Sequence, residues 1–264
     1  MLTLPARTRK TPSTTLGGNY GIVLSGFAAT LGVGPAPTAT TFLGDLNNDI
    51  GGTSSGQGNQ ILDFGGGAAT SPAAGIRANN QWSANIRFNN INSNTGAGVN
   101  HPTTLRGIFA QAGLSGNVTI SNNTVSVKSG ATTSILTGID NAIGATAAGN
   151  TVSINNNTIT GCTYTTATTG AFTGIISSAS AATVNINANS LLSNATNATS
   201  GTTTMIQNSG LVTVAATILS NVINGWTFNA ATSGAFIGIT KSGSTVTATV
   251  NISSNNFQNI THAI

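Results

Sequence analysis

The feature that most constrains this chain is a pattern, V-x-I-x-x-N-x-V, that keeps returning at nearly constant spacing. It reads Val118-Thr-Ile120-Ser-Asn-Asn123-Thr-Val125, then Val152-Ser-Ile154-Asn-Asn-Asn157-Thr-Ile159 and Val184-Asn-Ile186-Asn-Ala-Asn189-Ser-Leu191. Ala216-Thr-Ile218-Leu-Ser-Asn221-Val-Ile223 and Val250-Asn-Ile252-Ser-Ser-Asn255-Asn-Phe257 follow. Ile86-Arg-Phe88-Asn-Asn90-Ile91 precedes them and reads as a variant one residue shorter. From Asn90 the marker asparagines stand 33, 34, 32, 32 and 34 residues apart. A second marker keeps step: Gly-Ile ending at Ile76, Ile108, Ile139, Ile175 and Ile239, with Met205-Ile206 standing in once. A longer period lies over both. The segment Ile159 to Ile175 matches Ile223 to Ile239, with Cys162 opposite Trp226 at the same offset of 64.

Alternation within V-x-I puts both apolar residues on one strand face. The intervening residues, Arg87, Thr119, Ser153, Asn185, Thr217 and Asn251, then face solvent. Asparagine tolerates the left-handed backbone of a corner, and its amide can pair with the same residue one repeat away. These properties predict a ladder of Asn90, Asn123, Asn157, Asn189, Asn221 and Asn255. They also predict an inner column of Ile76, Ile108, Ile139, Ile175, Ile206 and Ile239. Such a repeat buries its apolar residues only against its neighbours. The expected fold is all-β: a right-handed parallel β-helix of six to seven rungs, three short strands in each. At about 4.8 Å per rung the rod is roughly 30 Å long.

Composition supports ordered β-structure. Charged residues are only 5% of the chain against about 25% usually, there is no glutamate, and Val and Ile recur in alternating runs. The eight cations do not form a groove. Arg7, Arg9 and Lys10 cluster near the start and the rest are scattered, which argues against nucleic acid as a partner. The lone Cys162 has no disulfide partner in the chain. No stretch approaches the ~18 apolar residues of a membrane span. The opening MLTLPARTRKTPSTTLGG has cations with no apolar run behind them, unlike a signal peptide.

Over residues 70–264, the two markers resemble the Asn/Thr/Gly-rich β-helix repeats of large secreted and cell-surface bacterial proteins. That resemblance implies a surface stalk, an adhesin or an extracellular fibre.

Residues 1–18 read as a basic tail, 19–68 as an irregular first rung or N-terminal cap, and 69–264 as the repeats. The tail is expected to be ordered by a neighbouring subunit as an added strand. The last repeat, running into Ile260 and Ile264, shows no capping segment. Head-to-tail stacking of such ends builds an open filament. Arg7, Arg9, Lys10, Ile260 and Ile264 are therefore the candidate polymer contacts, and the expected partner is the chain itself.

Other chemistry finds little footing. Glycan cleavage needs paired carboxylates, and Asp140 is the only acid in the repeats, so no enzyme activity and no cofactor are expected. Asp45-Leu-Asn47-Asn-Asp49 has calcium-loop spacing but lacks the glycine and the glutamate that should follow, and reads as a turn. His101 and His262 have no ligand-spaced partners and read as surface residues. Cys162, opposite a tryptophan, reads as partly buried packing. The outward positions are too mixed for a threonine ice-binding array. Two expectations remain: a subunit of an extracellular filament, or an adhesin segment that contacts glycan or a host surface.

Overall fold

The computed structural model describes residues 7–9, 20–25, 47–66, 71–93, 100–113, 116–166, 168–230 and 233–262. Strand β1 (Arg7–Arg9) comes first. Rung one holds β2 (Tyr20–Ser25), β3 (Asn48–Ile50) and β4 (Gln60–Leu62). Rung two holds β5 (Ala73–Asn79), β6 (Ser83–Arg87) and β7 (Asn90–Asn92). Rung three has β8 (Leu105–Gly113), β9 (Asn117–Ser121), β10 (Thr124–Ser126) and β11 (Lys128–Ser129). Rung four has β12 (Leu136–Ile143), β13 (Thr151–Asn155), β14 (Thr158–Thr160) and β15 (Thr163–Tyr164). Rung five has β16 (Phe172–Ser177), β17 (Ala181–Asn187), β18 (Ser190–Leu192) and β19 (Ala195–Thr196). Rung six holds β20 (Thr203–Asn208), β21 (Val212–Leu219) and β22 (Val222–Phe228). Rung seven holds β23 (Phe236–Lys241), β24 (Thr249–Ser253) and β25 (Asn256–His262).

Strands from successive rungs pair in parallel and build three sheets, one of eleven strands and two of seven. The molecule is a parallel β-solenoid. Its core is a set of columns that run along the axis. Ile22, Ile76, Ile108, Ile139, Ile175, Ile206 and Ile239 are register partners in one sheet. Ile50, Ile86, Ile120, Ile154, Ile186, Ile218 and Ile252 form a second column. Ile61, Ile91, Val125, Ile159, Leu191, Ile223 and Phe257 form a third. Each interior side chain of a column buries its apolar surface against the rungs above and below, which is why the pattern must repeat.

The Gly-Ile marker has a steric cause. A Cβ on Gly107 would lie 2.6 Å from the Gly138 carbonyl oxygen, and one on Gly138 would lie 2.6 Å from that of Gly174. The opposite sheet closes in as well, with Val125 Cγ1 at 2.3 Å and Ile159 Cδ1 at 2.9 Å from the same two positions. Two sheets converge here beside a stacked backbone, and no room remains for a side chain at these positions.

Two sequence expectations are corrected. First, the rung containing Ile86 is not one residue short. Ala84 pairs with Val118 and Ile86 with Ile120, so the unit reads Ala84-Asn85-Ile86-Arg87-Phe88-Asn89. Its marker is buried Asn89; Asn90 is exposed and is the register partner of Thr124. The outward residue of this rung is accordingly Asn85, partner of Thr119, and not Arg87. Second, the left-handed corner falls on the residue before the marker. Phe88, Asn122, Asn156, Ala188, Ser220 and Ser254 have φ of 58, 56, 57, 55, 56 and 56°. The segment 19–68, read as an irregular first rung or cap, contributes three described strands, β2, β3 and β4, which pair in register with β5, β6 and β7.

Candidate assembly interface at the open rung

The marker asparagines turn inward at the corner between two sheets, and there they form a hydrogen-bonded ladder. Asn89 Nδ2 donates to Asn123 Oδ1 (2.9 Å), and Asn123 donates likewise to Asn157 (3.0 Å) and Asn157 to Asn189 (3.0 Å). Asn189 donates to Asn221 (3.0 Å) and Asn221 to Asn255 (2.9 Å). The backbone N–H of each donor residue reaches the same acceptor oxygen; Asn157 N lies 2.9 Å from Asn189 Oδ1. Each amide nitrogen also donates back to a strand carbonyl of the preceding rung, as Asn157 does to Ile120 at 2.9 Å. Every polar atom of an interior member is thereby satisfied, as burial demands.

Five of the six asparagines expected in the ladder are members. Asn90 gives way to its neighbour Asn89, and the ladder extends one rung further, since Asn59 Nδ2 donates to Asn89 Oδ1 at 2.8 Å. Asn59 escapes a pattern search because its rung has Asn48-Asp49-Ile50 well separated from it by a 3-10 turn at Ser55–Gln57. The half-motif Asn59-Gln-Ile61 was nonetheless a usable signal. The ladder has polarity. At Asn59 the outward atom is an acceptor, Oδ1, which is buried and has no hydrogen-bond partner. At Asn255 the outward groups are donors, because Asn255 Oδ1 accepts from Asn221 and one amide hydrogen goes to Ile218 O at 2.8 Å.

The last described rung is open on its outer side. Ile252 and Phe257 are 45% and 43% exposed, while Ile218 and Ile223 one rung inward are 0% and 1%. Together with Phe236, Gly238, Ile239 and Asn255 they line a hollow at the end of the rod. Ile260 is part of this rung: it pairs with Trp226 and packs half-buried against the core. His262 stacks on Phe228 with ring centroids 4.0 Å apart. Ile264 lies outside the described residues. At the other end, β1 pairs with β4 of its own chain, Arg7 opposite Gln60 and Arg9 opposite Leu62. In the chain by itself, the described part of the tail is thus an added strand on its own first rung; Lys10 is outside the described residues.

The remaining candidates are placed as follows. Asp49 is a strand residue whose Oδ2 receives Arg87 Nη2 at 2.5 Å, with Gly52 N–H on its Oδ1. Asn47 sits exposed at φ 56° and exchanges hydrogen bonds with Ser83. Asp49 is thus engaged by an arginine at the start of β3; Asp45 lies outside the described residues. Asp140 is held by Arg106 Nε at 2.6 Å. Among the described residues no three His, Cys, Asp or Glu side chains gather as metal ligands would, and no helix is long and apolar enough to cross a membrane. On the outer face near Asp140, a shallow groove is lined by Arg106, Thr137, Thr173, Ile176, Thr204 and Gln207.

His101 is not a surface residue. It is fully buried, its Nδ1 receives Gly66 N–H (3.3 Å) and its Nε2 lies 2.8 Å from Thr103 Oγ1, which donates to Ser71 O. Burial lowers its pKa from the ordinary value of 6.5, in keeping with a neutral ring that carries its proton on Nε2. Cys162 is completely buried, more so than expected, and burial pushes its thiol up to about 12. It stands two rungs from Trp226 in one register column, and between them lies a buried residue that the repeat pattern does not mark, Asn194. Asn194 Oδ1 accepts from Cys162 N at 2.8 Å and its amide donates to Ile159 O at 3.1 Å. The double-rung period thus alternates a packed side chain with a hydrogen-bonding one.

The class these features define is a parallel β-solenoid with an internal asparagine ladder and a last described rung whose apolar side chains are exposed. No family model, curated protein or solved structure matches the chain.

Proposed function

We propose that this chain is a structural subunit of an extracellular filament or surface fibre, assembled by head-to-tail stacking of solenoid rods. The observation that carries this reading is the open seventh rung. Its three strands have parallel partners on one side and, among the described residues, none on the other, and its core side chains face solvent. Unpaired parallel edges over an exposed core favour another parallel strand. A second copy supplies strands of the same spacing and register, because its rungs obey the same period. A contact between two unlike ends repeats without closing and so builds a filament. The nearly uncharged skin allows close packing without self-repulsion. The engagement of Asp49 and Asp140 with arginines favours a structural role over a catalytic one. The extracellular setting rests on the resemblance to secreted Asn/Thr/Gly-rich repeats.

A second reading, an adhesin-type segment of a surface protein, has one observation in its favour. The groove beside Arg106 and Asp140 offers hydroxyl and amide groups next to Ile176, a lining suited to a sugar ring. Sedimentation of the purified chain separates the two. The filament reading expects concentration-dependent polymers, and a Phe257→Asp variant that keeps its β-sheet spectrum but stays monomeric. A wild-type chain that remains monomeric at high concentration, and gives a glycan-array signal lost on Thr173→Lys, would sink it in favour of the adhesin.

A further inference from the structure

Head-to-tail stacking, if it occurs as proposed above, raises a question of space at the joint. We infer that the last strand of one copy takes the place that β1 holds on β4 of the next, so that Asn255 of the first copy continues the ladder into Asn59 of the second.

The register requires a choice between the two strands. Throughout the rod, the strand after each ladder asparagine pairs with its neighbours from its first residue onward: Gln60, Asn90, Thr124, Thr158, Ser190, Val222 and Asn256 are successive partners. One rung before Gln60, the same register assigns Asn256 of a stacked copy to Gln60, Phe257 to Ile61 and Gln258 to Leu62. Those three positions are already held by Arg7, Thr8 and Arg9 of β1. Both strands cannot occupy one edge. In the other two sheets no described strand competes, and β23 meets β2 while β24 meets β3.

Two observations favour β25 as the occupant. The column through Ile61 is apolar at every rung and ends in Phe257, whereas β1 brings Thr8 to that register position. The ladder decides more sharply. Asn59 is 5% exposed and its Oδ1 has no partner, although every other ladder oxygen accepts from an asparagine. Strand β1 has no asparagine, and the residue before Arg7 in the sequence is Ala6. Asn255, at the far end, has a backbone N–H and a second amide hydrogen with no acceptor among the described residues. Donated to Asn59 Oδ1, these groups reproduce the pair that each interior asparagine makes. In return the Asn59 amide reaches the carbonyl of Ile252, as Asn255 reaches Ile218 and Asn221 reaches Ile186. A buried acceptor without a donor is costly, and its completion gives the joint a direction. Strand β1 then acts as a removable cover for the acceptor end of the free subunit.

Two disulfide variants test this. In Arg7→Cys/Gln60→Cys the new thiols are register partners within one chain, and oxidation fastens β1 in place. The oxidised protein is expected to sediment as monomer and the reduced protein to assemble like wild type. In Asn256→Cys/Gln60→Cys, oxidation of assembled protein is expected to give a ladder of covalent multimers on a denaturing gel. Assembly of the oxidised first variant at the wild-type rate, or absence of multimers from the second, overturns the exchange while leaving head-to-tail stacking in force. A wild-type chain that does not assemble overturns both.

Discussion

At the residue scale, one asparagine per rung does two things that a strand residue cannot. It accepts two N–H groups from the rung before and returns its own donors to the rungs on either side. Removing one member strands donors on one neighbour and a carbonyl on another, all buried. Asn157→Ala is therefore expected to lower unfolding stability by about 3 kcal/mol, read as a shift in the urea midpoint, because buried polar groups left unpaired cost roughly 1–3 kcal/mol each. The residue beside it works through its backbone alone. Ala188 holds φ 55° at an exposed corner where other rungs place Asn122 and Asn156. The left-handed conformation costs an alanine about 1 kcal/mol and asparagine less, so Ala188→Asn is expected to raise the midpoint by a comparable amount. His101 makes stability depend on pH. Its pKa is lowered in the folded state, so the unfolded chain takes up its proton first as the medium acidifies. The contribution is whole above the ordinary value of 6.5 and is lost as pH falls through the lower folded value. Thermal unfolding followed from about pH 8 to about pH 5 should show the wild type losing more stability than His101→Leu.

At the scale of the element, each strand is specified by alternation on its own and by its neighbours in the stack. The glycine of the Gly-Ile marker shows the second kind of constraint. Gly138→Ala places a methyl against the Gly174 carbonyl and Ile159, both buried, and is expected to cost about 1–3 kcal/mol as an overpacking substitution. Gly56→Ala meets nothing within 4 Å and serves as the matched control, with little change expected in the same denaturation assay. This division also explains what could be read in advance. The V-x-I strands, the stacking and the isoleucine columns are written in local periodicity, and they were legible. The position of the left-handed corner was not, because Phe88, Asn122, Ala188 and Ser220 share a backbone shape but no side-chain chemistry. Asn89 was misassigned for a related reason: Ala84 fills the place of valine, and two adjacent asparagines leave the spacing ambiguous until strand pairing fixes it. His101 and Asn194 are buried by loops and corners packed from other rungs, which no local pattern records.

At the scale of the whole molecule, the rod is a stack whose interior rungs are interchangeable and whose ends are not. One end presents a buried oxygen that lacks a donor, the other presents donors beside an exposed core. Stability in such a stack is shared between neighbours, so the last described rung, which has a described neighbour on one side only, is expected to be the weakest. In the proposed stacking, a second copy supplies that neighbour. Stacking in register sets the repeat of the assembly: seven rungs at about 4.8 Å give an axial spacing of roughly 34 Å. Electron microscopy of the assembled chain measures this directly. Thin filaments are expected, with a strong reflection at about 4.8 Å along the axis and a subunit repeat of roughly 34 Å. Separate rods at every concentration, or polymers whose strands do not continue along the axis from one subunit to the next, would contradict the proposed stacking.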